Sequence, residues 1–292
     1  VTDPRVSVIV PHFRDFARLD LCLAALERQT FPREQFEIIV ADNASPEGEA
    51  ELVRVIAGRA RLTVVAERGA APTRNGGAAV ARAPLLAFTD SDCVPQAEWL
   101  TAGVSALDRF DFVGGRMLVS VVDEADKTAV EAFERVFAFN NEDYVRRKGF
   151  TVTANLFCSR AVFAGVGGFR GGVSEDLDWC LRATAAGYRI GYAPCAAVEH
   201  PARRNWDELL AKWRRISREG FGLVADNRMG RIRWLIRSLA LPLSAMAHAP
   251  KIMFSRRLNS SRDRIGALAI LFRLRIWRFV DALSLFATSG KP

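Results

Sequence analysis

Arg5–Pro11 (RVSVIVP) is a β-branched apolar run stopped by proline, the pattern of a buried strand. Asp15 then caps a predicted helix whose apolar positions Leu19, Leu23 and Leu26 recur at intervals of three and four. Phe36–Asp42 (FEIIVAD) predicts a second strand that ends on a carboxylate. SPEGEAELVRVIAG reads as a capped helix, with Pro46 near its first turn and Gly58 past its end. Leu62–Glu67 predicts a third strand, Thr73–Ala83 a short helix and Leu85–Asp90 (LLAFTD) a fourth strand. Strands alternating with helices predict an α/β fold whose mostly parallel sheet is flanked by helices. Ligands of such sheets sit beyond the carboxyl ends of the strands, which is where Asp42 and Asp90 fall.

Past Asp92 the alternation is less regular. FVGGRMLVSVV predicts a strand with a glycine break, Glu124–Tyr144 a helix, and TVTANLFCSRAVF a strand turning into a helix. SEDLDWCLRATAAGYRIGYAP predicts a helix stopped at Gly187 and then a strand. Two apolar helical stretches follow, Ile232–Phe254 and Ile265–Phe286. Arg237, Pro242 and Pro250 interrupt the first, and Arg273, Arg275 and Arg278 the second. Neither offers the roughly 18–20 uncharged apolar residues that a membrane-spanning helix requires.

Composition adds an asymmetry. Of 292 residues, half are hydrophobic, which excludes a disordered chain. Pro201–Pro292 carries 19 Lys/Arg against 6 Asp/Glu, a net +13, while the first 200 residues net −5. A mildly acidic domain over residues 1–204 is thus expected to carry a basic helical extension over 205–292 that faces an anionic partner. The five cysteines, Cys22, Cys93, Cys158, Cys180 and Cys195, form no CxxC, so a reduced, cytoplasmic setting is expected rather than a disulfide framework. Val6–Val10 is too short for the apolar part of a signal peptide.

The fourth strand runs into Asp90-Ser91-Asp92. Carboxylates at i and i+2 of an extended chain project to one side and do not cheaply stay ionised together without a cation. All-oxygen ligation suits Mg²⁺ or Mn²⁺. The plainer alternative is that Asp92 caps a helix starting near Pro95.

The ordered set VSVIVPHF, QTFP, EIIVADNAS, RNGGAAVARAPLLAFTDSD, GGF, EDLDWCLRATAAGYRI and AVEH, spread from about Arg5 to His200, closely resembles the family 2 nucleotide-sugar glycosyltransferases of GT-A (Rossmann-like) fold. The resemblance implies an inverting, metal-dependent transfer, hexosyltransferase in type. The sugar would pass from a nucleotide-diphosphate donor, UDP-sugars favoured, to a hydroxyl of a glycan or lipid-linked acceptor. By the same resemblance Pro11, His12, Phe13, Asp42 and Asn43 line the nucleotide pocket, and Arg74 and Asn75 face the diphosphate. Asp90 approaches the ribose or metal, Asp92 binds the metal, and His200 of AVEH is its third ligand, with Mn²⁺ or Mg²⁺ as cofactor. Glu175-Asp176 matches the family's acid pair, with Asp176 as general base. Two departures stand out: Arg14 where the family often has asparagine, and Asn43 where it often has a second aspartate.

Each residue also has a plainer role open to it. Arg74 could be a solvated charge at a helix start, the Ser174–Asp178 acids a helix-dipole complement, and His200 a structural histidine. Trp179 and Arg182, one turn apart, either touch the sugar or diphosphate or simply pack. A Rossmann dehydrogenase would carry GxGxxG after the first strand, and a nucleotidyltransferase a glycine-rich basic loop; PHFRDFARL is neither. Four of the six tryptophans lie among the arginines of the extension. That composition suits the inner face of a membrane, or else a helical subdomain with a solvated rim, better than nucleic acid, for which no module is visible. A membrane-bound nucleotide-sugar-binding protein with a degenerate site is the non-enzymatic alternative.

Overall fold

The computed structural model describes residues 3–222, 224 and 227–288, so the outermost residues of the two expected domains, 1–2 and 289–292, lie outside it. In chain order the elements begin β1 (Val6–His12), α1 (Phe16–Glu27), β2 (Phe36–Asp42), α2 (Glu49–Ile56), β3 (Arg61–Val64), α3 (Ala70–Ala79), β4 (Leu85–Phe88) and β5 (Val94–Pro95). There follow α4 (Trp99–Ala106), β6 (Phe112–Ser120), α5 (Ala129–Phe137), α6 (Asn141–Asp143), β7 (Leu156–Ser159), α7 (Arg160–Val166), α8 (Glu175–Ala185) and β8 (Ile190–Pro201). The last four are α9 (Trp206–Gly222), α10 (Arg228–Leu239), α11 (Leu241–Met253) and α12 (Ser261–Thr288).

The first four strands pair in parallel, with β1 between β2 and β4 and β3 outside β2. Val8, Ile9, Val10, Ile38, Ile39 and Val40 are buried, as expected of a parallel sheet covered on both faces, which is why these strands read as unbroken apolar runs. The later strands pair antiparallel, β7 with β4, β6 with β7 and β5 with β8, giving the order β3-β2-β1-β4-β7-β6-β8-β5. Two registers matter for the site. His12 pairs with Asp42 at the carboxyl ends of β1 and β2. Val94 pairs with Glu199, which carries His200 to the turn that holds Asp92.

The core around the sheet centres on Trp179 of α8, whose ring meets Phe112 edge-on at 5.5 Å and Phe169 at 5.8 Å. Gly77 lets α3 approach β1: a Cβ there would stand 2.6 Å from Ile9 Cγ2.

Several elements differ from their sequence readings for local reasons. The helix expected from Thr73 starts at Ala70, because Pro72 sits in the first turn, where a missing N–H costs little. The helix expected over Glu124–Tyr144 is divided. A capping box between Thr128 and Glu131 sets its start. After α5, Asn140 leaves helical geometry (φ −138°), and the buried Asn141 amide donates to the Gly115 carbonyl at 2.6 Å and to Thr151 Oγ1 at 2.9 Å. The apolar stretch Ile232–Phe254 becomes two helices parted at Ala240, with Pro242 in the first turn of α11 and Pro250 inside it.

The chain forms two units. One comprises Val1–Leu118, Asn140–Gly171 and Glu175–His200; the other comprises Val119–Phe139, Gly172–Ser174 and Pro201–Pro292. In the second, α5, α9, α11 and α12 share a core that includes Phe133, Leu209, Ala245, Ile252, Leu271 and Leu274. Among the described residues no helix is long and apolar enough to cross a membrane.

Glu134 is buried in this second core. It accepts from the Arg203 backbone N–H at 2.8 Å, from Arg203 Nη1 at 3.2 Å and from Lys212 Nζ at 2.9 Å. Burial works to raise its carboxyl pKa, but Lys212 and Arg203 outweigh that and hold it below the usual 4.5. A depressed folded-state pKa means this stabilisation is complete above the unfolded value and is lost as pH falls through the folded one. Glu134→Ala leaves the half-buried Arg203 and Lys212 without their carboxylate and should cost about 3 kcal/mol in denaturant unfolding at pH 7, with the deficit shrinking toward acid pH. An equal deficit at both pH values would show that packing, not charge, holds the site.

Candidate active site

The carboxyl ends of β1 and β4 and the start of α3 enclose a cleft of about 430 Å³. Pro11, His12 and Phe13 form one wall, Asn43, Gly69, Ala70, Thr73 and Arg74 another, and Asp90–Asp92 a third. Asp15, the cap of α1, also lines it.

The loops that follow β1 and β2 are tied together beneath this cleft. Asp42 is buried behind the wall. It accepts from His12 Nδ1 at 2.8 Å, from Ser45 Oγ at 2.7 Å and from the Ser45 N–H at 2.8 Å. Ser45 Oγ in turn accepts from the Arg14 N–H at 3.0 Å. Arg14 and Ala44, at φ 65° and 51°, hold left-handed geometry, strain of about 1–3 kcal/mol each that this network offsets. Because the Asp42 carboxylate can only accept, the bonded His12 nitrogen carries the proton. His12 Nε2 is buried without a hydrogen-bond partner. Asn43 faces the cleft and braces its rim, donating to the carbonyls of Val65 (3.0 Å) and Glu67 (2.7 Å) and accepting from the Gly69 N–H (2.9 Å).

Asp90 and Asp92 sit on a tight turn rather than on extended chain, since the Cys93 N–H donates to the Asp90 carbonyl at 3.0 Å. Their carboxylates converge nonetheless. Asp90, Asp92 and Cys93 each offer a ligand atom within 4.8 Å of the others. His200 Nε2 stands 3.5 Å from Asp92 Oδ2. Burial first, then the charges of Asp92 and Asp90, pushes the Cys93 thiol far up, so it stays protonated. The remaining donors, two carboxylates and an imidazole, fit a hard divalent ion such as Mn²⁺ or Mg²⁺.

Arg74 occupies the centre of this arrangement. It is buried in α3, and its two terminal nitrogens donate separately to Asp90 and to Glu175 at the start of α8. Burial opposes its charge, but Asp90 and Glu175, aided by Asp176, raise its pKa, so it is permanently cationic. Asp176 is half-buried beside this ion pair.

The other expected residues lie elsewhere. Asn75 is turned away from the cleft toward the Gly167–Phe169 loop, where its amide accepts from the Phe169 N–H at 2.8 Å and donates to the Phe169 carbonyl at 2.9 Å. Gly168 permits that approach, since a Cβ there would meet Asn75 Oδ1 at 2.8 Å. Trp179 is fully buried and donates from Nε1 to the Gly167 carbonyl at 2.9 Å. Arg182 is held by Asp178 at 2.9 Å and by the carbonyls of Val166 and Gly168. These contacts shape the loop that precedes the acid pair. Ser45 and the Arg74–Glu175 bond escaped the sequence reading. The stretch from Ser45 reads as a capped helix, but α2 starts only at Glu49, after Gly48 and with no side-chain cap, and Ser45 serves Asp42 instead; Arg74 and Glu175 are 101 residues apart.

Residues 7–171 match the family model described as glycosyl transferase family 2. The chain belongs to glycosyl transferase family 2. This transferase is 32% identical over 225 residues to the glycosyltransferase AglE of Haloferax volcanii, which covers 74% of the chain and 73% of the relative. In structure it resembles the mannosyltransferase PcManGT from Pyrobaculum calidifontis, solved with GDP-Man and Mn²⁺ (TM-score 0.60, 19% identity, 100% of this chain and 89% of that one). It also resembles S. aureus TarS 1-349, solved with UDP-GlcNAc (TM-score 0.55, 17% identity, 98% and 90%). The fold of the transferase is therefore GT-A, as the sequence motifs imply. The family match stops at residue 171, before Glu175, Asp176 and His200. Arg74, within the match, reaches Glu175 and lies near Asp176, and Asp92, also within it, meets His200.

Proposed function

We propose that this glycosyltransferase works by inversion with a divalent ion, moving a sugar from a nucleoside diphosphate to a hydroxyl of a glycan or lipid-linked acceptor, UDP-sugars being the first donors to test. The observation that carries this reading is the Arg74 bridge, which joins the turn at the end of β4 to the acid pair at the start of α8.

Asp176 takes the proton of the acceptor hydroxyl as its oxygen bonds to the anomeric carbon. The bond from that carbon to the diphosphate breaks on the opposite face, and the nucleoside diphosphate leaves with the electron pair. Inversion follows from this single displacement. Glu175 is held on Arg74 and so fixes the start of α8, and with it Asp176. Arg74 presents a buried, permanent cation beside the departing diphosphate. His12, anchored by Asp42, shapes the wall against which the nucleoside would lie. Asp90, Asp92 and His200 would hold Mn²⁺ or Mg²⁺, which when bound supplies further positive charge to the diphosphate.

The reading is tested by a panel of nucleotide sugars assayed for hydrolysis and transfer with and without Mn²⁺, the anomer of the product being read by NMR. Turnover with inversion supports it. Retention overturns the single displacement, and binding without turnover of any donor overturns the transfer itself and leaves a binding protein. Arg74→Gln removes charge-assisted contacts of about 1.5–3 kcal/mol and should lower kcat/KM by about 10- to 100-fold. A variant of unchanged kcat/KM would remove Arg74 from the donor site.

A further inference from the structure

We propose that the second unit docks on the surface of an anionic lipid bilayer through the outer faces of α10 and α11. Met229, Ile232, Ile236, Leu239, Leu243 and Met246 follow one another at intervals of three and four residues across both helices, and each is 39–72% exposed. A stripe of that period on a helix ordinarily faces a core. These helices bury other positions, Ser238 of α10 and Ala245 and Ile252 of α11, so the stripe lies on the side turned away from those contacts. α12 repeats the pattern. Ala267, Leu271 and Leu274 are buried in the bundle, while Ile265, Phe272, Ile276 and Val280 are exposed.

Charge identifies the occupant. Residues 227–262 contain eight Lys/Arg and no Asp/Glu. Arg233 and Arg237 are exposed one turn apart beside the α10 stripe. Arg237 also lies close to Arg275 and Arg278 of α12. Burial first, then these two neighbours, pushes Arg278 down to about 9 against the opposing pull of Asp281, and Arg278 Nε is buried without a hydrogen-bond partner. Arg278 lies over the Trp213 ring at 4.0 Å, so the exposed guanidiniums beside the α10 stripe are those of Arg233 and Arg237. Apolar side chains entering an interface beside arginines that meet lipid phosphates is the arrangement of a helix lying on a membrane. A second copy of the chain fits less well, because two-fold pairing through this face would bring the exposed Arg233 and Arg237 of each copy together with no acidic residue between Asn227 and Met253 to offset them. A nucleic acid would match the charge and leave the stripe in water.

The test is sedimentation of the full chain with vesicles of phosphatidylcholine alone and of phosphatidylcholine with about 30% phosphatidylglycerol. The expected result is at least about tenfold tighter binding to the anionic vesicles, weakened at about 0.5 M salt. Ile236→Asp with Leu243→Asp should lower that binding about tenfold or more at an unchanged melting temperature, and Arg233→Gln with Arg237→Gln should erase the preference for anionic lipid. Equal binding to both vesicles, or binding to neither, overturns the proposal, whatever the fate of the variants. So does a dimer in buffer that the apolar substitutions convert to monomer, which would make this face a contact between copies.

Discussion

Asp176→Asn should lower kcat by about 10²- to 10⁴-fold and leave donor affinity unchanged. The substitution keeps the shape and the hydrogen-bonding reach of the side chain but replaces a carboxylate by an amide, which is too weak a base to take the acceptor's proton. General-base catalysis contributes about 10²–10⁴-fold, and a loss confined to kcat marks an interaction made only in the transition state. Donor affinity, read by calorimetry, is preserved because Arg74 keeps both its partners, Asp90 and Glu175. Glu175→Gln behaves differently: it weakens the hold on Arg74 and so alters KM as well as kcat. If Asp176→Asn keeps more than a tenth of wild-type turnover, the base lies elsewhere on the acceptor side.

The second large effect belongs to Asp92. Asp92→Ala removes one of the two turn carboxylates and the one that meets His200 at 3.5 Å. Charge stabilisation by a bound divalent ion is worth several kcal/mol, so kcat/KM should fall by about 10³-fold. The gain in donor affinity on adding Mn²⁺ should disappear with it. The measurement is calorimetric titration of a nucleoside diphosphate with and without Mn²⁺. A variant that retains the Mn²⁺-dependent gain would move the ion away from this turn. His200→Ala should give the same pattern to a lesser degree, since both carboxylates survive.

How much of this could be read from the chain depends on the range of the interactions involved. β2 runs over Phe36–Asp42 as read, because a β-branched run bounded by punctuation declares itself locally. Asp15 caps α1 and Gly187 follows α8 for the same reason, the signal and its effect lying within a few residues. The division of the helix expected over Glu124–Tyr144 was hidden, since it depends on Asn141 reaching Gly115, 26 residues away. At the site, the types of the acids and their places at strand ends were legible. Their division of labour was not. Nothing near Asn75 indicates that its amide serves the Phe169 backbone, and nothing near Glu175 names Arg74 as its partner. Trp179 and Arg182 show the limit of helical spacing: it places them one turn apart without saying that one fills the core and the other ties down carbonyls.

Arg74 has one more consequence. Its guanidinium already balances Asp90 and Glu175 from within the chain, so those acids do not rely on a borrowed cation to stay together. Zinc-finger domains, by contrast, come apart when stripped of their ion. Protein kept in chelator should therefore hold the melting temperature it has with Mn²⁺ to within a few degrees, so that the proposed ion would be a matter of activity rather than of folding.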